Sequence, residues 1–147
     1  MRKHREQVEF GIVLGERHRP QGKLTIGMSA KTLPKRLREL VKGLDTAFGE
    51  RDRAVRNGRT RQIMTATIPA ARAYGRLLAA HPWMDGNGRT AFPVLSFALV
   101  RLGAPAVAVL ESEDFQWCLG QAMQRKRRNV EPLAEYLAEI IRSSDSS

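Results

Sequence analysis

A chain of 147 residues, 42% hydrophobic and 27% charged, is long enough to bury one core without metal or disulfide staples, so a single domain is expected. Its one cysteine, Cys118, excludes an intramolecular disulfide and points to a reducing, cytoplasmic setting; no run approaches the ~20 apolar residues of a membrane span. The formal charge of +10 would suit a polyanion, but the arginine clusters at 51–61 and 125–128 are not interleaved with aromatics for base stacking, so solvated helix faces are the simpler reading and nucleic acid is not the expected partner.

In chain order, "FGIVLG" (10–15) and "KLTIGM" (23–28) read as strands joined by the turn-rich "ERHRPQG". In the second run Leu24, Ile26 and Met28 alternate with Thr25 and Gly27, as in a half-buried strand. Thr32 is the expected cap of a helix in which Leu33, Leu37, Leu40, Val41, Leu44 and Phe48 make one apolar stripe. The basic, glycine-containing segment 49–60 is expected as a loop. Ala70, Ala73, Tyr74, Leu77 and Leu78 then mark a helix running up to His81, with Pro69 near its first turn. From about Gly88, "RTAFPVLSFALVRLG" reads as a long helix, apolar all round and central, closed by a left-handed Gly103; Pro93 either delays its start or bends it. Ser112 and Asn129 are the expected caps of two further helices, one carrying Phe115, Cys118, Leu119, Ala122 and Met123, the other Leu133, Leu137, Ile140 and Ile141. The tail "SSDSS" is expected to be disordered. The sum is a mainly α protein, a compact helical bundle with a small β-hairpin near its N-terminus.

Chemistry concentrates in "HPWMDGNGRTAF", residues 81–92. Gly86, Asn87 and Gly88 stand where a helix is about to begin, so their N–H groups can meet an oxyanion, and the glycines let it come close. Arg89 can fork onto phosphate oxygens, and Asp85 suits Mg²⁺, which takes one or two carboxylates together with substrate phosphates and water. His81 is the nearby side chain able to take a proton near neutral pH and so to activate an attacking hydroxyl. Each feature alone is an ordinary turn or helix end. Seven such residues coinciding by chance is expected about once in 10⁹ windows, which favours a built site. Trp83 reads as an anchor for the loop.

The run "HPWMDGNGR" resembles the signature of the Fic family, His-Pro-Phe-x-Asp/Glu-Gly-Asn-Gly-Arg, with Trp83 in place of the usual Phe. The resemblance implies a Fic-like helical domain over 23–142, preceded by a segment 1–22 holding a first flap strand and followed by the tail 143–147. It implies transfer of a nucleoside monophosphate, most often AMP from ATP with Mg²⁺, to a Ser, Thr or Tyr hydroxyl of a target protein. By position, His81 would deprotonate that hydroxyl, Asp85 would bind Mg²⁺, Gly86, Asn87 and Gly88 would form the anion hole, and Arg89 would hold phosphate. The hairpin corresponds to the family's flap, placed at 23–31, which aligns a target segment by strand addition.

Two departures qualify the reading. Many AMP-transferring members carry a second arginine three places after the first, where this chain has Phe92. "RTAF" is instead similar to the Doc subgroup, toxins that phosphorylate a target, yet the lysine of that subgroup is Gly88 here, which keeps the anion hole open. Nucleotidyl transfer is therefore favoured over Doc-like phosphorylation and over a nucleotide-binding module without catalysis. Arg72 or Arg76 could replace the lost cation. The inhibitory pattern Ser/Thr-x-x-x-Glu-Gly/Asn has no match, "TAFGER" (46–51) ending differently, so a separate small antitoxin-like partner is expected.

Overall fold

The computed structural model describes residues 6–14, 17–26, 29, 31–82, 86–108, 112–124 and 127–146, the first two stretches by their backbone. Strands β1 (Glu6–Leu14) and β2 (Arg17–Ile26) are followed by helices α1 (Leu33–Arg56), α2 (Met64–Ala80), α3 (Asn87–Arg101), α4 (Glu113–Met123) and α5 (Glu131–Asp145). The protein is mainly helical. Among the described residues no helix is long and apolar enough to cross a membrane.

The central helix is α2, not the motif-bearing α3 that its apolar sequence suggests: α2 packs against α1, α3, α4 and α5. The reason lies in side-chain size. Ala66, Ala70, Ala71, Ala73, Ala79 and Ala80 are all buried on α2, so neighbours can close on it from every side. At Gly75 the approach is closest, since a Cβ there would lie 2.9 Å from the Ala122 carbonyl oxygen of α4. By contrast α3 leaves Phe97 61% and Val100 58% exposed, so it is not apolar-buried all round. Large side chains complete the core from the outer helices: Leu95 and Leu99 of α3, and Leu133, Leu137 and Ile141 of α5, are almost wholly buried.

Helix α1 runs through Gly49 to Arg56, where a loop over 49–60 was the expectation. One glycine costs a helix only about 1 kcal/mol, and tertiary contacts outweigh it. Asp52 of α1 accepts two hydrogen bonds from Arg101 of α3 at 2.8 and 2.7 Å, Arg101 lies over the Phe48 ring, and Phe48 meets Phe97 edge-on with centroids 5.9 Å apart. The stop comes at Asn57 and a left-handed Gly58, where Gly58 N–H donates to Val55 O and Arg59 N–H to Ala54 O. Val41 departs from the expected stripe and is exposed. Thr32 makes no side-chain cap; its hydroxyl turns back to Ser29, whose carbonyl already accepts the N–H groups of Thr32 and Leu33.

Prolines sit deeper in the helices than expected. Helix α2 begins at Met64, so Pro69 lies in its second turn, and α3 begins at Asn87 and continues past Pro93. Gly103 does close α3 in the left-handed region (φ 87°), with Gly103 N–H donating to Val100 O and Ala104 N–H to Leu99 O. Ser112 Oγ accepts the Phe115 N–H and so caps α4, while also meeting the Tyr136 hydroxyl of α5 at 2.7 Å. Asn129 stands one residue outside the cap position of α5 and accepts the Glu131 N–H. Three tail residues expected to be disordered, Ser143, Ser144 and Asp145, are instead the last of α5, where the Ser143 and Ser144 hydroxyls donate back to the carbonyls of Glu139 and Ile141.

Residues 17–22, expected as turn, belong to β2, which pairs antiparallel with β1 from Glu6–Ile26 to Leu14–Arg17. The register shifts between Phe10 and Gly11, facing Gly22 and Pro20, so Gln21 is the extra residue. A two-stranded ribbon has only edges, and there a proline and a bulge are tolerated. Of the expected flap, 23–31, residues 23–26 are the end of β2, and 27, 28 and 30 lie outside the described residues.

Candidate functional site

Two left-handed residues define the candidate site. His81 ends α2 with φ 47° and ψ 59°, its N–H donating to Leu77 O at 3.2 Å. Pro82 follows, and a proline disfavours the α region for the residue before it, which is one reason the helix stops there. A non-glycine residue in the left-handed region costs on the order of 1–2 kcal/mol. Among the described residues His81 is the one non-glycine with positive φ, and such strain collects at functional positions.

Gly86 caps the start of α3 with φ 77° and ψ 14°, a conformation glycine adopts without strain. Its carbonyl accepts both the N–H (3.0 Å) and the hydroxyl (2.9 Å) of Thr90. The N–H groups of Asn87, Gly88 and Arg89 come before that first helical bond, so the helix itself offers them no acceptor. Asn87 is buried, whereas Gly88 is exposed and a Cβ added to it would meet nothing within 4 Å. Arg89 folds its guanidinium back over the turn: Nη2 lies 3.5 Å from where a Gly86 Cβ would stand, and Cζ 3.9 Å. A helix N-terminus, an open glycine and a guanidinium therefore meet at one place, the physical requirements for holding phosphate oxygens.

The structure brings the end of α2 to the start of α3, which pack on each other, so His81 and the residues Gly86, Asn87, Gly88 and Arg89 bracket one short connection. Trp83, Met84 and the expected Mg²⁺ ligand Asp85 lie outside the described residues. Among the described residues no group of three or more His, Cys, Asp or Glu could hold a metal ion, so the metal expectation rests on Asp85.

Four further residues are to be placed relative to the site. Thr90 locks the Gly86 cap, and its only signal in the sequence is a hydroxyl four places after a cap glycine. Phe92 is half-buried against the core and lines a small cleft with Leu95, Phe115, Tyr136 and Ile140. Its position three after Arg89 is thus given to packing. Arg72 and Arg76 line a cavity of about 140 Å³ with Leu40 and Leu44 of α1, and none of the described motif residues shares that lining. Burial, then the neighbouring Arg72, pulls the Arg76 guanidinium below its ordinary range, with Glu39 acting in the opposite sense.

No curated protein matches the chain. The sequence model of the Fic/DOC family matches residues 3–99, about two-thirds of its length, from before β1 well into α3. With that match over most of the chain, the protein belongs to the Fic/DOC family.

Proposed function

We propose that this Fic-type protein is a nucleotidyltransferase that moves AMP, or another nucleoside monophosphate, from a nucleoside triphosphate to a Ser, Thr or Tyr hydroxyl of a target protein. The observation that carries the reading is the open start of α3, where a Cβ on Gly88 would meet nothing within 4 Å and the Arg89 guanidinium lies over Gly86. A lysine at position 88, as in the Doc subgroup, would bring its own cation into that opening.

In the proposed reaction the target hydroxyl gives its proton to a ring nitrogen of His81 as its oxygen bonds to the α-phosphorus. The bond from that phosphorus to the bridging oxygen breaks, and pyrophosphate leaves with both electrons. The Asn87, Gly88 and Arg89 N–H groups and the Arg89 guanidinium carry the negative charge on the phosphate oxygens. Mg²⁺, when bound by Asp85 and the phosphates, supplies further neutralisation of that charge. Hairpin β1–β2 is assigned the flap role, since the outer edge of a two-stranded ribbon can pair with an extended target segment. A small antitoxin-like protein is the proposed restraint, and the cytoplasm the proposed setting.

The second reading, Doc-like phosphorylation with ATP, is favoured by one observation: Phe92 packs against the core where many AMP-transferring members present a second arginine. Incubation of wild type and His81→Ala with Mg²⁺, a cell lysate and ATP labelled at either the α- or the γ-phosphate separates the two. Label from the α position, lost in the variant, is the expected result; label from the γ position alone would replace the first reading by the second.

A further inference from the structure

The arginine cluster at 51–61 has no part in the proposed reaction, and three of its five arginines, Arg51, Arg59 and Arg61, line an open cleft. Between the end of α1, the connection 57–63, the first turn of α2 and the C-terminal ends of α3 and α5 lies a space of about 380 Å³, within the size range of small-molecule sites. Its lining combines polar residues, Arg51, Arg59, Thr60, Arg61, Gln62 and Thr65, with apolar ones, among them Val55, Ile63, Ala66, Leu102, Pro105 and Ile141. Among the described residues Asp145 is the one acidic residue of the lining, beside three arginines.

The three arginines are not equivalent. Arg51 Nε donates to Leu102 O at 3.0 Å and so serves the end of α3. Among the described residues Arg59 and Arg61 have no side-chain hydrogen bond or ion pair, although both line a cleft that also has apolar wall residues. Two guanidinium groups with hydroxyl and amide neighbours match a doubly charged tetrahedral oxyanion better than a carboxylate, and a phosphate monoester carries about −1.5 to −2 at pH 7. The apolar wall matches an organic body attached to that phosphate.

The geometry points to a second ligand site in this cavity, one that takes an organic phosphate monoester: Arg59 and Arg61 hold the phosphate, and Val55, Ile63 and Pro105 contact the organic body. The site is separate from the motif. Thr65 and His81 stand at opposite ends of α2, on the order of 25 Å apart at 1.5 Å per residue, so one small ligand cannot occupy both places.

Phenyl phosphate is the probe, because it has no anhydride bond to transfer and reads binding alone, whatever the outcome of the transfer assays. Amide NMR spectra of the ¹⁵N-labelled full chain are followed during titration at constant ionic strength, with inorganic phosphate and phenol as separate controls. Saturable shifts of the amides of residues 59–66, with phenyl phosphate binding more tightly than either control, are expected. Arg59→Gln/Arg61→Gln should weaken binding by about ten-fold or more, as loss of charge-assisted hydrogen bonds does. Circular dichroism of that variant checks that the helices remain. Shifts confined to residues 86–90, shifts that do not saturate, equal binding of inorganic phosphate or phenol, or unchanged affinity in the folded double variant would each overturn the site.

Discussion

Arg51 of α1 donates from Nε to the carbonyl oxygen of Leu102, and its guanidinium lies 2.6 Å from where a Cβ on Gly103 would stand. The cation thus lies over the glycine that turns the chain out of α3, satisfying a carbonyl at a helix end that carries partial negative charge. Gly103→Ala should lose about 2 kcal/mol or more, from the left-handed φ and the displaced guanidinium. Arg51→Ala should lose about 1 kcal/mol. Thermal unfolding followed by circular dichroism measures both, and equal stability of wild type and Gly103→Ala would contradict the contact.

Gly75 tests the close approach of α2 to α4. A methyl group there would stand 2.9 Å from a backbone oxygen that cannot move without shifting α4. On propensity alone Gly75→Ala should stabilise a helix by about 1 kcal/mol. The packing predicts the opposite sign, a loss of about 1–3 kcal/mol, so the direction of the change in urea midpoint decides.

For His81 the backbone and the chemistry separate by substitution. His81→Ala and His81→Gly should each reduce transfer by about 10²-fold or more, as loss of a general base does, while both still bind nucleotide. Because position 81 is left-handed, the glycine variant should be more stable than the alanine variant by about 1 kcal/mol. Full transfer in either variant would remove His81 from the proposed mechanism.

Phe92→Arg carries two opposed expectations. Restoring the second arginine should favour AMP transfer, but a guanidinium at a half-buried position beside Leu95 and Phe115 should cost about 2 kcal/mol. Transfer is therefore compared per folded molecule, at a temperature where both proteins are native. A gain would identify the missing phosphate contact as limiting; no gain, with stability lost, would identify Phe92 as a packing residue only.

Cys118 should be a slow thiol. Burial, aided by Asp114, pushes its thiol up from the ordinary range, which favours the neutral form over the reactive thiolate. Because the folded value is raised, this group supports the fold below the ordinary thiol pKa and loses that support as pH rises through the folded value. Reaction with a disulfide reagent at pH 8 should be slow in buffer and fast in urea; equal rates would show the thiol to be accessible.

Local chemistry was enough to read the mainly helical class, the left-handed stop at Gly103, the Ser112 cap and the grouping of His81, Gly86, Asn87, Gly88 and Arg89, because a cap, a glycine turn and a short motif depend on residues within a few positions of one another. What depends on distant partners was decided only by the tertiary structure. Helix α1 continues through Gly49 because Arg51 and Asp52 find Leu102, just past the end of α3, and Arg101 on it. Helix α2 rather than α3 is central because its small side chains admit four neighbours, a property of the packed bundle and not of hydrophobicity along the chain. The arginines at 53, 56 and 59 are exposed, as a solvated face would be, yet Arg51, Arg59 and Arg61 also line an open cleft because the ends of α1, α3 and α5 meet the start of α2 there. Phe92 packs against the core, rather than facing a nucleotide, because the rotation of α3 is set by where Leu95 and Leu99 are buried.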